Sequence, residues 1–167
     1  AISKAFTAVK DAIKWVAETM DIETLDELGE TSAENNSSAI SLFNYSDKKI
    51  LFTSDTGIPA LKKAIEYAKS KSITLNNLSV LQVPHHGSKR NISPSIIDAL
   101  KCTNAYISCA PNGEPKHPAK KVTNAFKRRG IKPYWTKNNG LCHRHNTHSR
   151  EGWSTATEIP FYDKVEE

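Results

Sequence analysis

Leu78-Ser79-Val80-Leu81-Gln82-Val83-Pro84-His85-His86-Gly87-Ser88 decides how this chain reads. Its first half is an apolar run of strand length that stops at a proline. Its second half sets two imidazoles side by side, followed by a glycine that lets backbone come close. A buried strand with a polar turn at its carboxyl end is how open α/β sheets build sites, because the loops leaving the strands converge there on a rigid support. Adjacent imidazoles in such a turn suit metal chemistry, one binding an ion while its neighbour orients it or moves protons. A histidine pair in a plain surface turn is the alternative.

Upstream of that stretch, residues 39–45 and 49–54 are short apolar or alternating runs joined by Ser46-Asp47-Lys48, the composition of a hairpin turn. Pro59 then suits a first helical turn, and Ile58, Leu61, Ile65 and Ala68 line one face of a helix ending near Ser70. Phe6, Val9, Ile13, Val16 and Met20 recur at spacings of three and four, which predicts a helix over residues 3–20 whose apolar face packs on something. Residues 21–38, acidic and then polar, read as a connector. The division is therefore an N-terminal helix with connector over residues 1–30 and a main unit over residues 31–167.

Downstream, Ser93-Pro94 opens a short helix carrying Ile97 and Leu100, and residues 105–110 form another buried strand. Pro118 opens a helix with Val122, Ala125 and Phe126 inward, stopped by Gly130 in the left-handed conformation. Short strands over residues 133–136 and 141–144 complete the pattern. Strands alternating with helices of about ten residues give an α/β fold, helices stacked on a mixed sheet.

A chain of 167 residues with 38% hydrophobic and 25% charged residues is long enough for one core without staples, and no apolar run reaches bilayer length. Cys102, Cys109 and Cys142 are odd in number and widely spaced, which fits a reducing compartment, the cytoplasm, better than a disulfide framework. The net charge of +5 lies in Lys62-Lys63, Lys89-Arg90, Lys120-Lys121 and Lys127-Arg128-Arg129; it permits an anionic partner, although solvated helix faces explain most such pairs. The chain opens at Ala1 with helical periodicity and no signal pattern, and reads as a fragment or processed product.

Three candidate features follow predicted strands and so share one sheet edge. Asp55, in Thr53-Ser54-Asp55-Thr56-Gly57, suits metal ligation or capping of the next helix. His85 and His86 suit Zn²⁺ or Mn²⁺ with an aspartate. His117, in the loop of residues 111–117, stands just before a helix, where it can act on a phosphate or a leaving group, or be a plain cap-position residue. Cys142, His143, His145 and His148 can form a separate zinc site. On a strand, however, Cys142 and His143 point to opposite faces and no CxxC partner exists, so a polar edge strand is the better reading.

With these residues in view, the region from residue 35 to about residue 141 resembles the C-terminal half of metallo-β-lactamase-fold hydrolases, closest to the hydrolase domain of the competence protein ComEC and its soluble relatives. Asn35-Asn36-Ser37-Ser38 is similar to the Asn-Asn-x-Ser that leads into the family's hairpin. Leu51-Phe52-Thr53-Ser54-Asp55 is similar to its Leu-x-Thr-Gly-Asp, with Ser54 in place of glycine. Residues 83–88 match Val-Pro-His-His-Gly-Ser, and Lys116-His117-Pro118 resembles the downstream His-Pro element.

The resemblance implies half of an αββα sandwich, with helices on the outer face of its sheet. It also implies two divalent metal ions, zinc or manganese. Asp55 would bridge them, His85 would ligate one, His86 would move protons and His117 would contact the phosphate or leaving group. Ser88, Lys89 and Asn112 would touch substrate. The implied activity is metal-dependent hydrolysis, with phosphodiester bonds of nucleic acid as the preferred, nuclease-like substrate class. The family's principal metal motif, His-x-His-x-Asp-His, does not occur here, and no histidine precedes His85. Most ligands are therefore expected from a missing N-terminal half or another chain, and the isolated fragment is expected to be inactive. The competing expectation is a non-catalytic binding or interaction module.

Overall fold

The computed structural model describes residues 2–20, 22–112, 117–137 and 140–165. Five strands form one mixed sheet in the order β1-β2-β3-β4-β5. The hairpin of β1 (Ser41–Tyr45) and β2 (Lys48–Phe52) is antiparallel, and β3 (Val80–Gln82), β4 (Asn104–Ile107) and β5 (Lys132–Trp135) follow β2 in parallel. The hairpin turn is one residue tighter than its composition suggests. Ser46 and Asp47 both take positive φ, 47° and 63°, the primed-turn conformation that matches strand twist, and Lys48 already belongs to β2.

Each parallel step is made through a helix: α3 (Ile58–Ser70), α4 (Pro94–Leu100) and α5 (Lys120–Arg128). Leu51, Leu81, Ala105 and Pro133 stand in register across the sheet. The first three join Leu61 of α3, Ile96 and Ile97 of α4, and Val122 and Phe126 of α5 in one buried cluster. The opposite face is open at the hairpin, where Phe43 and Phe52 are about half exposed, at 54% and 47%, whereas Val80 of β3 on the same face is buried.

α5 begins at Lys120, two residues after Pro118, and ends as the sequence predicts. The Ile131 N–H donates to the Phe126 carbonyl and the Gly130 N–H to the Lys127 carbonyl, with Gly130 at φ 68°. The strand expected over residues 141–144 does not form. The outer edge of β5 is instead taken by Ile159, whose N–H donates to the Pro133 carbonyl, and the His143 ring lies edge-on to Tyr106 with centroids 6.2 Å apart.

The N-terminal helix, α1 (Ile2–Thr19), forms where expected, but its apolar stripe faces solvent at Phe6, Val9, Ile13 and Met20; the Val16 side chain lies outside the described residues. Among the described side chains of α1 the buried one is polar. Buried Glu18 receives hydrogen bonds from Asn124 (2.9 Å) and Arg128 (2.7 Å) of α5, and from Thr24. The stretch read as a connector carries a short helix, α2 (Ala33–Asn36), and is stapled to the body: Leu25 is buried, and Glu27 accepts from the Ser95 N–H (3.0 Å) in the first turn of α4. Among the described residues no helix is long and apolar enough to cross a membrane.

Candidate functional site

Because β2 to β5 run parallel, their carboxyl ends share one edge, and the turns leaving β2, β3 and β4 meet there. The Asp55 turn is built first by its neighbour strand. Gln82, the polar residue in an otherwise apolar β3, accepts from the N–H groups of Thr53 (2.8 Å) and Ser54 (2.9 Å) through its side-chain oxygen. Its main-chain carbonyl accepts from the Thr53 hydroxyl at 2.7 Å. Ser54 takes φ 49°, the left-handed region that glycine enters without penalty. On the far side, buried Asn91 donates to the Asp55 carbonyl at 2.9 Å. Both flanks of Asp55 are thus fixed, while its carboxylate has no hydrogen-bonding partner among the described residues. It does not cap α3: the N-cap is Gly57 and receives no side-chain bond, so the capping alternative for Asp55 falls away.

The β3 turn is a short 3-10 segment, Pro84–Gly87, in which three successive residues take positive φ: His85 at 45°, His86 at 56° and Gly87 at 81°. For the two histidines this costs about 1–2 kcal/mol each, strain that persists only where surrounding contacts hold it. Two of those contacts are visible. The His85 N–H donates to the Ser54 carbonyl at 3.0 Å, which joins this turn to the Asp55 turn. The Gly87 carbonyl accepts from the Ala119 N–H at 3.0 Å, and a Cβ at Gly87 would stand 2.6 Å from Pro118 Cβ. The absence of a side chain at position 87 is what brings the segment after β4 against the histidine turn.

Three imidazoles meet as a result. Ring centroids are 5.8 Å apart for His85–His86, 5.9 Å for His85–His117 and 6.4 Å for His86–His117. Each has a different environment. Half-buried His85 meets the Asn35 carboxamide nitrogen at Nδ1, 2.9 Å away. Exposed His86 must donate from Nδ1 to the Ser108 carbonyl at 2.6 Å, since a carbonyl only accepts; its Nε2 is left with the lone pair in the neutral ring. The buried Nδ1 of His117 has no hydrogen-bond partner among the described residues. Burial, reinforced by the neighbouring charges of His85 and His86, pushes the His117 pKa below the ordinary imidazole value and favours the neutral ring. His117 is not a helix cap either, since the N-cap of α5 is Ala119.

The remaining expected residues are placed less directly. Ser88 is buried, and its hydroxyl accepts from the Arg90 N–H at 3.3 Å within the turn. Lys89 is half-buried and Asn112 is exposed in the turn after Pro111; of the loop to His117, residues 113–116, Lys116 among them, lie outside the described residues. Gln82, Asn91 and the Ser108 carbonyl shape the site without having been singled out for it, and Asn35, expected only as part of the lead into the hairpin, reaches His85. Gln82 alone carried a signal, as a polar residue in a strand buried on both flanks.

The α5 cations are largely committed to ion pairs: Lys121 with Asp26 (3.6 Å), Lys127 with Glu158, Arg128 with Glu18 (2.7 Å), and Arg129 with Glu23 and Asp98 (2.6 Å each). Cys102, Cys109 and Cys142 are all free, and burial pushes the Cys102 thiol up to about 12 and raises that of Cys109. Among the described residues no three His, Cys, Asp or Glu side chains stand together so as to hold a metal ion, the Cys142, His143, His145 and His148 cluster included. What Asp55, His85 and the unpartnered His117 Nδ1 offer is the hard-oxygen and imidazole donor chemistry of a zinc or manganese shell, in part. No family model and no curated protein matches the chain.

Proposed function

We propose that this chain is the C-terminal half of a metal-dependent hydrolase of the metallo-β-lactamase fold, acting on phosphodiester bonds. The observation that carries the reading is the meeting of the Asp55 turn with three imidazoles at the carboxyl edge of the sheet, two of them on strained backbone. Two further features support it. Ser54 takes a left-handed φ at the position where the family pattern has glycine. The exposed hairpin part of the sheet's second face, with Phe43 and Phe52 on it, is apolar surface that a second sheet would cover in a sandwich.

In this reading the Asp55 carboxylate and His85 Nε2 hold metal, and the larger part of the shell comes from a segment carrying His-x-His-x-Asp-His. When bound, the ions supply hydroxide near neutral pH and polarise the scissile group. His86, its Nδ1 proton committed to the Ser108 carbonyl, takes and returns a proton at Nε2. His117, kept neutral by burial, donates a hydrogen bond to a phosphate oxygen or leaving group. Phosphodiesters are chosen on the resemblance rather than on charge, because the α5 cations are engaged elsewhere.

The test combines this chain with the polypeptide that carries His-x-His-x-Asp-His in the same gene product and assays DNA cleavage with Zn²⁺ and Mn²⁺. Cleavage that Asp55→Ala lowers by at least a hundredfold is the expected result, as removal of one transition-state contact typically costs that much. A metal-loaded assembly that leaves DNA intact redirects the reading to a small-molecule ester. A gene product without the motif favours the non-catalytic binding module.

A further inference from the structure

We infer that Asn35 is a positioning residue for His85: from α2 its carboxamide holds the imidazole at Nδ1 and leaves Nε2 as the ring atom presented to the site. The two residues are 50 positions apart in sequence and 2.9 Å apart in space. The contact is not an accident of a loose loop, because the stretch that carries Asn35 is fixed on several sides. The Asn35 N–H donates to the Ser32 hydroxyl at 3.3 Å, and Asn36 Nδ2 donates to the carbonyls of Thr31 (3.2 Å) and Ser32 (3.0 Å). Beneath them Gly57 is stripped of side chain: a Cβ there would stand 1.9 Å from Thr31 Oγ1 and 2.6 Å from Asn36 Oδ1. The segment before β1 is thereby seated directly on the residue that follows the Asp55 turn.

A carboxamide is suited to this place in a way a carboxylate is not. Its two ends have the same shape, so it can donate to a bare Nδ1 or, turned over, accept from a protonated one. As placed, the nitrogen faces the ring, so Nδ1 accepts and the proton of the neutral imidazole sits on Nε2. An imidazole that ligates a metal through Nε2 carries its proton on Nδ1 and needs an acceptor there. A half-turn of the Asn35 amide supplies that acceptor without moving either segment. His86 is different, since the Ser108 carbonyl locks its tautomer in one state. Adjacent imidazoles on the same strained turn are thus given one fixed and one reversible partner. The use of Nε2 for metal rests on the hydrolase reading; the tether does not.

The decisive measurement is the protonated ring nitrogen of His85, by nitrogen-15 NMR of histidine-labelled chain without metal and above the imidazole titration range. The wild type should carry its proton on Nε2. Asn35→Asp, nearly isosteric but able only to accept, should move it to Nδ1. Asn35→Leu should release the ring, seen as loss of the His85–His117 ring-to-ring cross-peaks. An unchanged Nε2–H tautomer in Asn35→Asp, or an unmoved ring in Asn35→Leu, overturns the proposal. The same proteins titrated with Zn²⁺ separate it from the hydrolase reading. Reversal of the tautomer with zinc binding unaltered by any variant leaves the tether standing and removes its metal role; affinity falling at least tenfold in Asn35→Leu but not in Asn35→Asp supports both.

Discussion

His85, His86 and Gly87 pass through left-handed backbone in succession, yet only the glycine does so without strain. The position of this turn at the sheet edge was legible in the sequence, from an apolar run of strand length that ends at Pro84. Its geometry was not, because nothing in residue type announces a histidine at positive φ. The same holds for Asp55, whose capping alternative was removed only by where α3 begins. Two glycines give a test at this scale. Gly130→Ala, at φ 68° with nothing within 4 Å of its added Cβ, should cost about 1 kcal/mol, the backbone term alone. Gly87→Ala should cost at least about 2 kcal/mol, since its Cβ also meets Pro118, and should part His117 from the other imidazoles. Urea denaturation measures both; equal losses would mean that Gly87 sets no close approach.

Among the elements, α3, α4 and α5 and the strands between them were readable from apolar periodicity, with errors of a few residues at their ends. The partners of α1 and α5 were not readable, because the sequence pattern carries no information on which charges find each other. The apolar stripe of α1 was expected to pack on something; among the described side chains it faces solvent, and the buried one is Glu18. The basic run of α5 was compatible with an anionic partner, and its cations turn to Glu18, Glu23, Asp26, Asp98 and Glu158.

This clamp is sensitive to pH in one direction. Burial alone would raise the Glu18 pKa, but hydrogen bonds from Thr24, Arg128 and Asn124 and the Arg128 charge outweigh it and hold the carboxyl below its ordinary 4.5. A depressed folded-state pKa means that the unfolded chain binds the proton more readily, so the contribution is complete above about 4.5 and is lost as pH falls through the lowered value. Glu18→Ala should cost about 3 kcal/mol at neutral pH by leaving buried donors unpaired, and less in acid. A loss that is the same at pH 7 and pH 3 would contradict the clamp.

At the scale of the molecule, the alternation of strands and helices sufficed for a mixed α/β sheet, and the parallel run β2 to β5 explains why separate motifs share an edge. What no motif could supply was the supporting contacts of Gln82, Asn91 and the Ser108 carbonyl, and the reach of Asn35 from its own motif to His85, because such contacts depend on how strands and turns are brought together. We propose Asp55 and His85 as the two metal-holding groups this chain contributes, and zinc affinity by competition with a chromophoric chelator, for the wild type beside Asp55→Ala and His85→Ala, tests this. Binding weaker than that of a complete zinc site is expected, lowered further by at least about tenfold in each variant. Equal zinc affinity in all three proteins would contradict it.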